Sequence, residues 1–295
     1  MKPSLIIANP TSGQGKGLRI LAEALDYLDA QRLQYRVIAS NSLEKSLEEL
    51  RKSDYSDFER LLIIGGDGMM HYTINALFSD SKKIDIAVGL IPAGTGNDFA
   101  RALRLNLKRP VKNIDQYISS TPDRFDLGLV NNRLFGAICS TGFDSIVNER
   151  ANKMSWPKGR RKYDIAMLQE LPRFKAREYE IDIDGRKFDT EAMLIAVANG
   201  PSYGGGMKVC PQANLRDGLL DVMILHPVPK GEFLRIFPSV YSGSHINHPE
   251  VEIIRGRTIV IAGDAVTYAD GERISPAPVT ITTHEGALRT WSANV

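Results

Sequence analysis

Carboxylates set into glycine turns are the first chemical signal in this chain. Gly65-Gly66-Asp67-Gly68 follows the apolar run Leu61-Leu62-Ile63-Ile64, and Gly94-Thr95-Gly96-Asn97-Asp98 follows Val88-Gly89-Leu90-Ile91-Pro92. Both read as strands ending in a glycine turn, whose glycines carry no Cβ, so that backbone N–H groups can approach a phosphate closely. An aspartate in such a turn repels a bare phosphate, so its presence points to a bridging cation. Together the two turns imply a metal-assisted phosphoryl-transfer site. A third loop, Asn9-Pro10-Thr11-Ser12-Gly13, follows Leu5-Ile6-Ile7-Ala8 in the same manner. Taken singly, each loop is better explained as a tight strand-to-helix turn; the three together are not. All three fall at the C-terminal ends of strands, and one sheet would bring them to one crevice. Neither phosphate loop fits GxxxxGK[ST], and no GxGxxG opens the first helix, which disfavours ordinary P-loop and dinucleotide sites.

The elements that must position these loops alternate. The strand Leu5–Ala8 leads to a helix with Leu18, Leu21, Ala22, Leu25 and Leu28 on one face; Tyr35–Ala39 leads to a helix marked by Leu43, Leu47 and Leu50. Leu61–Ile64 leads to a helix through Ile74 and Leu77, and Ala87–Ile91 to a helix over Asn97–Leu103 whose first turn carries Asp98. This pattern predicts a parallel sheet with helices on its faces. Near residue 123 the texture changes to short strands and turns. Phe125–Val130 and Arg133–Ser140 flank Asn131-Asn132, and Tyr179–Ile183 pairs with Lys187–Ala198 across Asp184-Gly185. Leu219–Leu225, Val251–Ile254, Thr258–Ala262, Ala265–Ala269 and Val279–Thr283 follow, interrupted by helical stretches at Lys162–Leu171 and Glu232–Tyr241. The second part is therefore expected to be an antiparallel sandwich or barrel.

Composition sets the outer limits. A chain of 295 residues with 43% hydrophobic and 24% charged residues can form two ordinary domains. The net charge of +2 is too balanced for a nucleic-acid coat. Cys139 and Cys210 are the only cysteines, too few for a disulfide framework and natural in a reducing cytoplasm. No apolar run approaches the roughly 20 residues of a membrane span, and no signal peptide is read at Met1-Lys2-Pro3-Ser4.

The order and spacing of the three loops, with Phe125-Asp126-Leu127-Gly128, Thr141-Gly142-Phe143-Asp144, Asp217-Gly218-Leu219-Leu220-Asp221 and Asp270-Gly271-Glu272, resembles the lipid kinases that include soluble bacterial diacylglycerol kinases and, more distantly, sphingosine and ceramide kinases. The resemblance spans nearly the whole chain. It implies an α/β nucleotide-binding domain over 1–123, completed by the returning segment 286–295, and a β-sandwich lipid-substrate domain over 124–285, with the active site in the cleft. It implies ATP and Mg2+ as cofactors, and a homodimer. The nucleotide would meet Asn9, Pro10, Thr11, Ser12, Gly13, Ser40, Gly65, Gly66, Asp67, Gly68, Gly94, Thr95, Gly96 and Asn97. Asp67, Asp98 and Asp126 would hold Mg2+ at the phosphates, while Asn214, Asp217 and Leu219 would form a separate metal site. Asp270, supported by Glu272, would be the general base that takes the lipid hydroxyl's proton. On residue types alone, Asp270-Gly271 is more simply a hairpin turn, and Asp98 also reads as a helix cap and Asp126 as a strand-end turn residue; the family resemblance reverses the first of these.

The chain departs from the family pattern after the first glycine turn. Met69, Met70, His71 and Tyr72 stand where the family usually carries threonine, a β-branched residue, asparagine or histidine, and glutamate. A histidine at a helix start is ordinarily structural. A basic run, Lys158, Arg160, Arg161 and Lys162, precedes the helix with Tyr163, Ile165, Ala166 and Leu168. It reads either as a solvated face or, with Trp156, as peripheral contact with an anionic membrane surface; Lys16 and Arg19 join that patch or face the nucleotide. The acceptor is most simply diacylglycerol. Alternatives are a sphingoid lipid, NAD (whose kinases share a Gly-Gly-Asp-Gly turn), or a regulator that binds without catalysis.

Overall fold

The computed structural model describes residues 2–9, 15–40, 42–78, 85–156 and 161–293. The chain divides into two compact units, residues 1–125 with 286–295, and residues 126–285.

The first unit runs β1 (Ser4–Ala8), α1 (Lys16–Ala30), β2 (Tyr35–Ile38), α2 (Leu43–Lys52), β3 (Arg60–Gly65), α3 (Asp67–Leu77), β4 (Ala87–Pro92), α4 (Asp98–Ala102) and α5 (Asn113–Ser119). Its strands pair in parallel in the order β2-β1-β3-β4. Every residue of β1, β3 and β4 is buried. That is why these strands read as unbroken apolar runs, as parallel strands covered by helices do. The edge strand β2 buries only Ile38 fully. α1 faces the sheet with Gly17, Ile20, Leu21, Ala24 and Leu28. Leu18 is 60% exposed and Ala22 is also exposed, so the apolar face is rotated from the expected one: the i, i+3, i+4 series starts at Gly17. Tyr117 of α5 packs where a Cβ on Gly89 would sit, 2.7 Å from its ring, and donates its hydroxyl to the Leu90 carbonyl at 2.6 Å.

The second unit comprises β5 (Asp123–Val130, entering from the first unit), β6 (Arg133–Phe135), β7 (Ile138–Gly142), α6 (Phe143–Lys153), α7 (Arg161–Glu170), β8 (Arg177–Ile183), β9 (Arg186–Ala192), β10 (Leu194–Ala198), β11 (Leu220–Leu225), α8 (Lys230–Ile236), β12 (Val251–Gly256), β13 (Thr258–Gly263), β14 (Val266–Ala269), β15 (Glu272–Pro276) and β16 (Val279–Thr290). One antiparallel layer orders β16-β13-β8-β9, with β5 on β16 and β6 on β5; the other orders β12-β11-β10-β7-β14-β15. Ile181, Ile259, Ile261 and Ile281 from the first layer share a buried cluster with Ile195, Val197, Val222 and Ile224 from the second. The alternate residues Ala196, Ala198 and Met223 join Phe143, Val147, Ala151, Ala166 and Phe233 of the helices in another cluster. Because β10 is buried on both faces, Leu-Ile-Ala-Val-Ala is continuous rather than alternating.

Two expected strands are each divided. Arg133–Ser140 breaks at Gly136-Ala137 into β6 and β7, which lie in different sheets. Lys187–Ala198 breaks at Met193, whose N–H donates to the Leu225 carbonyl while its own carbonyl accepts from Phe143 N–H. α5, α6 and β15 are additional to the sequence reading. The end of β16 returns to the first unit, where Thr290 lies beside Val88 of β4 and donates its hydroxyl to the Val88 carbonyl at 2.6 Å. Trp291 then rests on the Tyr117 ring, centroids 4.9 Å apart. Both cysteines are free and buried.

Candidate active site

In the first unit the two glycine turns meet backbone to backbone. A Cβ on Gly94 would lie 2.4 Å from the Gly66 Cα, and one on Gly66 would lie 2.8 Å from the Gly94 Cα. Only glycine permits this approach. Asn97 shapes the second turn: held at φ 55°, it accepts from the Gly94 N–H at 2.9 Å and donates to the Gly94 carbonyl at 2.8 Å. Asp67 reaches across to accept the Phe99 N–H at 3.2 Å, capping α4 from the first turn of α3. Asp98 is buried as the first residue of α4. Two carboxylates thus stand at the N-terminal ends of two helices whose entry turns touch, where negative charge and anions are favoured. Gly65 and Gly68 flank the first turn, and Thr95 and Gly96 complete the second, with Thr95 exposed.

Of the third loop, Asn9 is joined to Ile64 by its N–H at 3.4 Å, while Pro10, Thr11, Ser12 and Gly13 lie outside the described residues. Ser40 follows β2 and donates its N–H to Ser46 Oγ at 3.1 Å. Met69, Met70 and His71 are all buried in α3, and the His71 ring meets Tyr72 edge-on at 5.5 Å. Met69, where the family places threonine, is therefore a packing residue.

In the second unit Asp270 and Gly271 form the turn between β14 and β15, with φ 50° and 86°. These values suit a primed two-residue hairpin turn. The side chain does more than turn the chain: its two oxygens accept the N–H groups of Gly136 at 2.8 Å and Ala137 at 2.9 Å. This grip accounts for the break between β6 and β7, since those amides are spent on a carboxylate instead of a neighbouring strand. Glu272 opens β15.

The other acidic residues fall into a second group. Asp126 is buried; its N–H donates to the Leu215 carbonyl at 2.7 Å and one carboxylate oxygen accepts the Gly218 N–H at 2.8 Å. Sequence reasoning set Asp126 beside Asp67 and Asp98; within its own unit it anchors the Asn214–Leu219 loop. Asn214 is exposed and accepts the Arg216 N–H at 3.2 Å. Asp217 accepts the Leu219 N–H at 3.1 Å and forms an ion pair with Arg255, whose Nε lies 2.7 Å from the buried Asp221. Burial pushes the Asp221 carboxyl up, against the pull of Arg255, and hydrogen bonding to Asp221 raises the Arg255 guanidinium in turn.

These positions test the expected metals. Among the described residues no group of three or more His, Cys, Asp or Glu side chains could hold an ion. Asp67 and Asp98 fit Mg2+ nonetheless, because that ion is commonly held by one or two carboxylates together with substrate phosphates and water. At Asp217 the Arg255 guanidinium pairs with the carboxylate in the position a divalent cation would take.

Asp144, quoted within Thr141-Gly142-Phe143-Asp144 but given no role from sequence, also lies in this unit. It accepts from the hydroxyls of Ser140 and Tyr203, the latter at 2.9 Å, and from Asn148 at 3.2 Å. Burial pushes its carboxyl up, and the two hydroxyls oppose the shift. The Tyr163 phenol is raised first by burial and then by the charges of Asp144 and Glu272. Lys162 sits with Nζ 5.2 Å from the Tyr163 ring centre. Lys158 and Arg160 lie outside the described residues, and Arg161 begins α7.

Comparison with known proteins covers both units. Residues 3–130 match the family model described as diacylglycerol kinase catalytic domain, and residues 137–292 match that described as YegS C-terminal NAD kinase beta sandwich-like domain. A diacylglycerol kinase of Mycobacterium tuberculosis (strain ATCC 25618 / H37Rv) is 33% identical over 290 residues, 96% of this chain and 93% of the relative. That of Bacillus subtilis (strain 168) is 30% identical over 252 residues, 85% and 82% of the two chains. A crystal structure of a diacylglycerol kinase from Bacillus anthracis str. Sterne superposes with a TM-score of 0.73 at 18% identity, covering 99% of this chain and 97% of that one, a likeness of fold.

Proposed function

Because the chain belongs to the diacylglycerol kinase family, and is thereby a phosphotransferase with an alcohol acceptor, we propose that it transfers the γ-phosphate of ATP to the free hydroxyl of diacylglycerol, giving phosphatidic acid. The observation that carries this reading is the Asp270 carboxylate, fixed through both oxygens by the Gly136 and Ala137 amides. A carboxylate so oriented is suited to accept the proton of an attacking alcohol. The acceptor oxygen attacks the γ-phosphorus as its proton passes to Asp270, and ADP departs; Glu272 supports the base from the adjoining strand. The abutting Gly66 and Gly94 turns would offer backbone N–H groups to the phosphates. Mg2+ would supply charge neutralisation there, held by Asp67 and Asp98.

Contact with an anionic bilayer would be peripheral. No helix among the described residues is long and apolar enough to cross a membrane. Trp156 is 78% exposed and Leu168 55% exposed, close in sequence to Lys162 and Tyr163, a combination suited to the interface.

The test is transfer of label from γ-labelled ATP into mixed micelles of diacylglycerol or sphingosine, with NAD in parallel. Label is expected in phosphatidic acid, and Asp270→Asn should lower kcat by about 10²–10⁴ while the protein stays folded. Label in NAD alone, or in none of the three, would overturn the proposed acceptor. An Asp270→Asn enzyme at the wild-type rate would remove the base.

A further inference from the structure

Asn199 follows β10 with none of its surface exposed. Its side-chain amide donates both of its protons, to the Asp126 carbonyl at 3.0 Å and to the Gly136 carbonyl at 2.8 Å. Its backbone N–H and that of Gly200 both donate to the Ala137 carbonyl, at 2.9 and 3.0 Å. The two carbonyls of Gly136-Ala137 are therefore pinned by Asn199-Gly200, while its two N–H groups are spent on the Asp270 carboxylate. The Asp270 backbone N–H donates to the Ile138 carbonyl at 3.0 Å, closing the arrangement. All four polar groups of the dipeptide have partners. None of those partners is a neighbouring strand in the ordinary ladder sense.

The Asn199 Oδ1 oxygen is buried with no hydrogen-bond partner. A buried acceptor without a donor weakens a fold, and an apolar side chain of similar size would avoid that penalty. What the amide provides in return is its two donors. One fixes the peptide that presents N–H groups to Asp270; the other ties that peptide to the β5 strand at Asp126, whose carboxylate in turn holds the Gly218 N–H. A carboxylate that must meet a hydroxyl within hydrogen-bond reach is sensitive to displacements of an ångström or less. A mispositioned Gly136-Ala137 peptide would pass its displacement directly to both Asp270 oxygens.

We infer that Asn199 is the positioning residue for Asp270: it sets the Gly136-Ala137 peptide, and that peptide sets the carboxylate. The inference rests on the reading of Asp270 as the general base. It assigns Asn199 no contact with either substrate.

The experiment compares Asn199→Ser and Asn199→Ala, which retain one donor and none, with Asp270→Asn and with the double variant Asn199→Ala/Asp270→Asn. Steady-state kinetics with ATP and diacylglycerol micelles are read beside the thermal unfolding midpoint of each protein. Expected are a kcat loss of about tenfold for serine and about 100-fold for alanine, with the KM for ATP within about twofold of wild type. In the Asp270→Asn background, Asn199→Ala should cause no further loss, because a residue acting only through the base has nothing left to position. Asn199→Ala at the wild-type rate beside an inactive Asp270→Asn would overturn the positioning role alone. A loss that multiplies with that of Asp270→Asn would also overturn it, marking Asn199 as a general packing residue. Should Asn199→Ala fail to fold, the serine variant decides by the same comparison, with its kcat loss and its combination with Asp270→Asn. A fully active Asp270→Asn would instead remove the premise of the base.

Discussion

Asp144 is a carboxyl whose proton is worth more to the folded chain than to the unfolded one. Burial raises its folded pKa above the ordinary carboxylate range, with the Ser140 and Tyr203 hydroxyls moderating the shift. The folded state therefore binds the proton more tightly. The stability this confers is fully present below the unfolded pKa of about 4 and is lost as pH rises through the folded value. At neutral pH the partly buried carboxylate opposes folding, and Asp144→Asn removes that opposition. The variant should match wild type in unfolding midpoint near pH 4 and exceed it near pH 7.5 by about 2 °C, corresponding to about 1 kcal/mol. An offset that stays constant from pH 4 to 8 in thermal scans would contradict the assignment. Residues of this kind differ in how far a sequence discloses them. Gly66, Gly94 and Asp67 announce themselves because a tight turn admits few residue types. The approach of Gly66 to Gly94 is silent, because it joins two turns through their backbones. Asp270 is legible as a turn residue; the groups that grip its carboxylate are the amides of Gly136 and Ala137, which leave no side-chain trace.

At the scale of elements, burial on two faces made β1, β3 and β4 readable as continuous apolar runs, and alternation made the β8–β9 hairpin readable around Asp184-Gly185. Strand ends were less so. Arg133–Ser140 keeps a strand-like composition across Gly136-Ala137, and the break arises from the distant Asp270 and Asn199. The loop before β11 gives a sharper case. Its acidic pattern suits a cation, yet the cation present is Arg255, contributed by β12. Arg255→Ala would leave Asp221, 2% exposed, buried without its partner. Loss of a fully buried partner costs about 3–5 kcal/mol, and the partial exposure of Arg255 lowers the expectation to about 2 kcal/mol. Removing the guanidinium also frees the Asp217 carboxylate for a divalent ion. Urea unfolding should show the loss, and millimolar Ca2+ or Mg2+ should raise the variant's midpoint while leaving that of wild type unchanged. A wild-type midpoint that rises equally with the metal would mean that Arg255 does not occupy the position of the ion.

For the molecule as a whole, the proposed acceptor dissolves in a bilayer, whereas the net charge is only +2 and no helix among the described residues is long and apolar enough to span one. Charge balance makes long-range attraction weak, so the proposed contact would draw on local features. Trp156 and Leu168 are large apolar side chains exposed to water in the second unit, and each recovers transfer free energy on entering the interface. In the proposed contact Lys162, close to both in sequence, would add an attraction that salt screens over about 8 Å at physiological ionic strength. The two contributions separate experimentally. Sedimentation with vesicles of phosphatidylglycerol and phosphatidylcholine should bind wild type, with Trp156→Ala and Leu168→Ala together weakening binding by about 10–100-fold, or about 1.4–2.7 kcal/mol. Raising NaCl to 0.5 M should weaken wild type further but leave a residual apolar affinity that the double variant lacks. Since neither side chain belongs to the proposed machinery, the double variant should keep its kcat on diacylglycerol presented in detergent micelles and lose activity on vesicles. Equal vesicle binding by the two proteins would remove this surface from the reaction, because the remaining attraction would then be carried by charge alone.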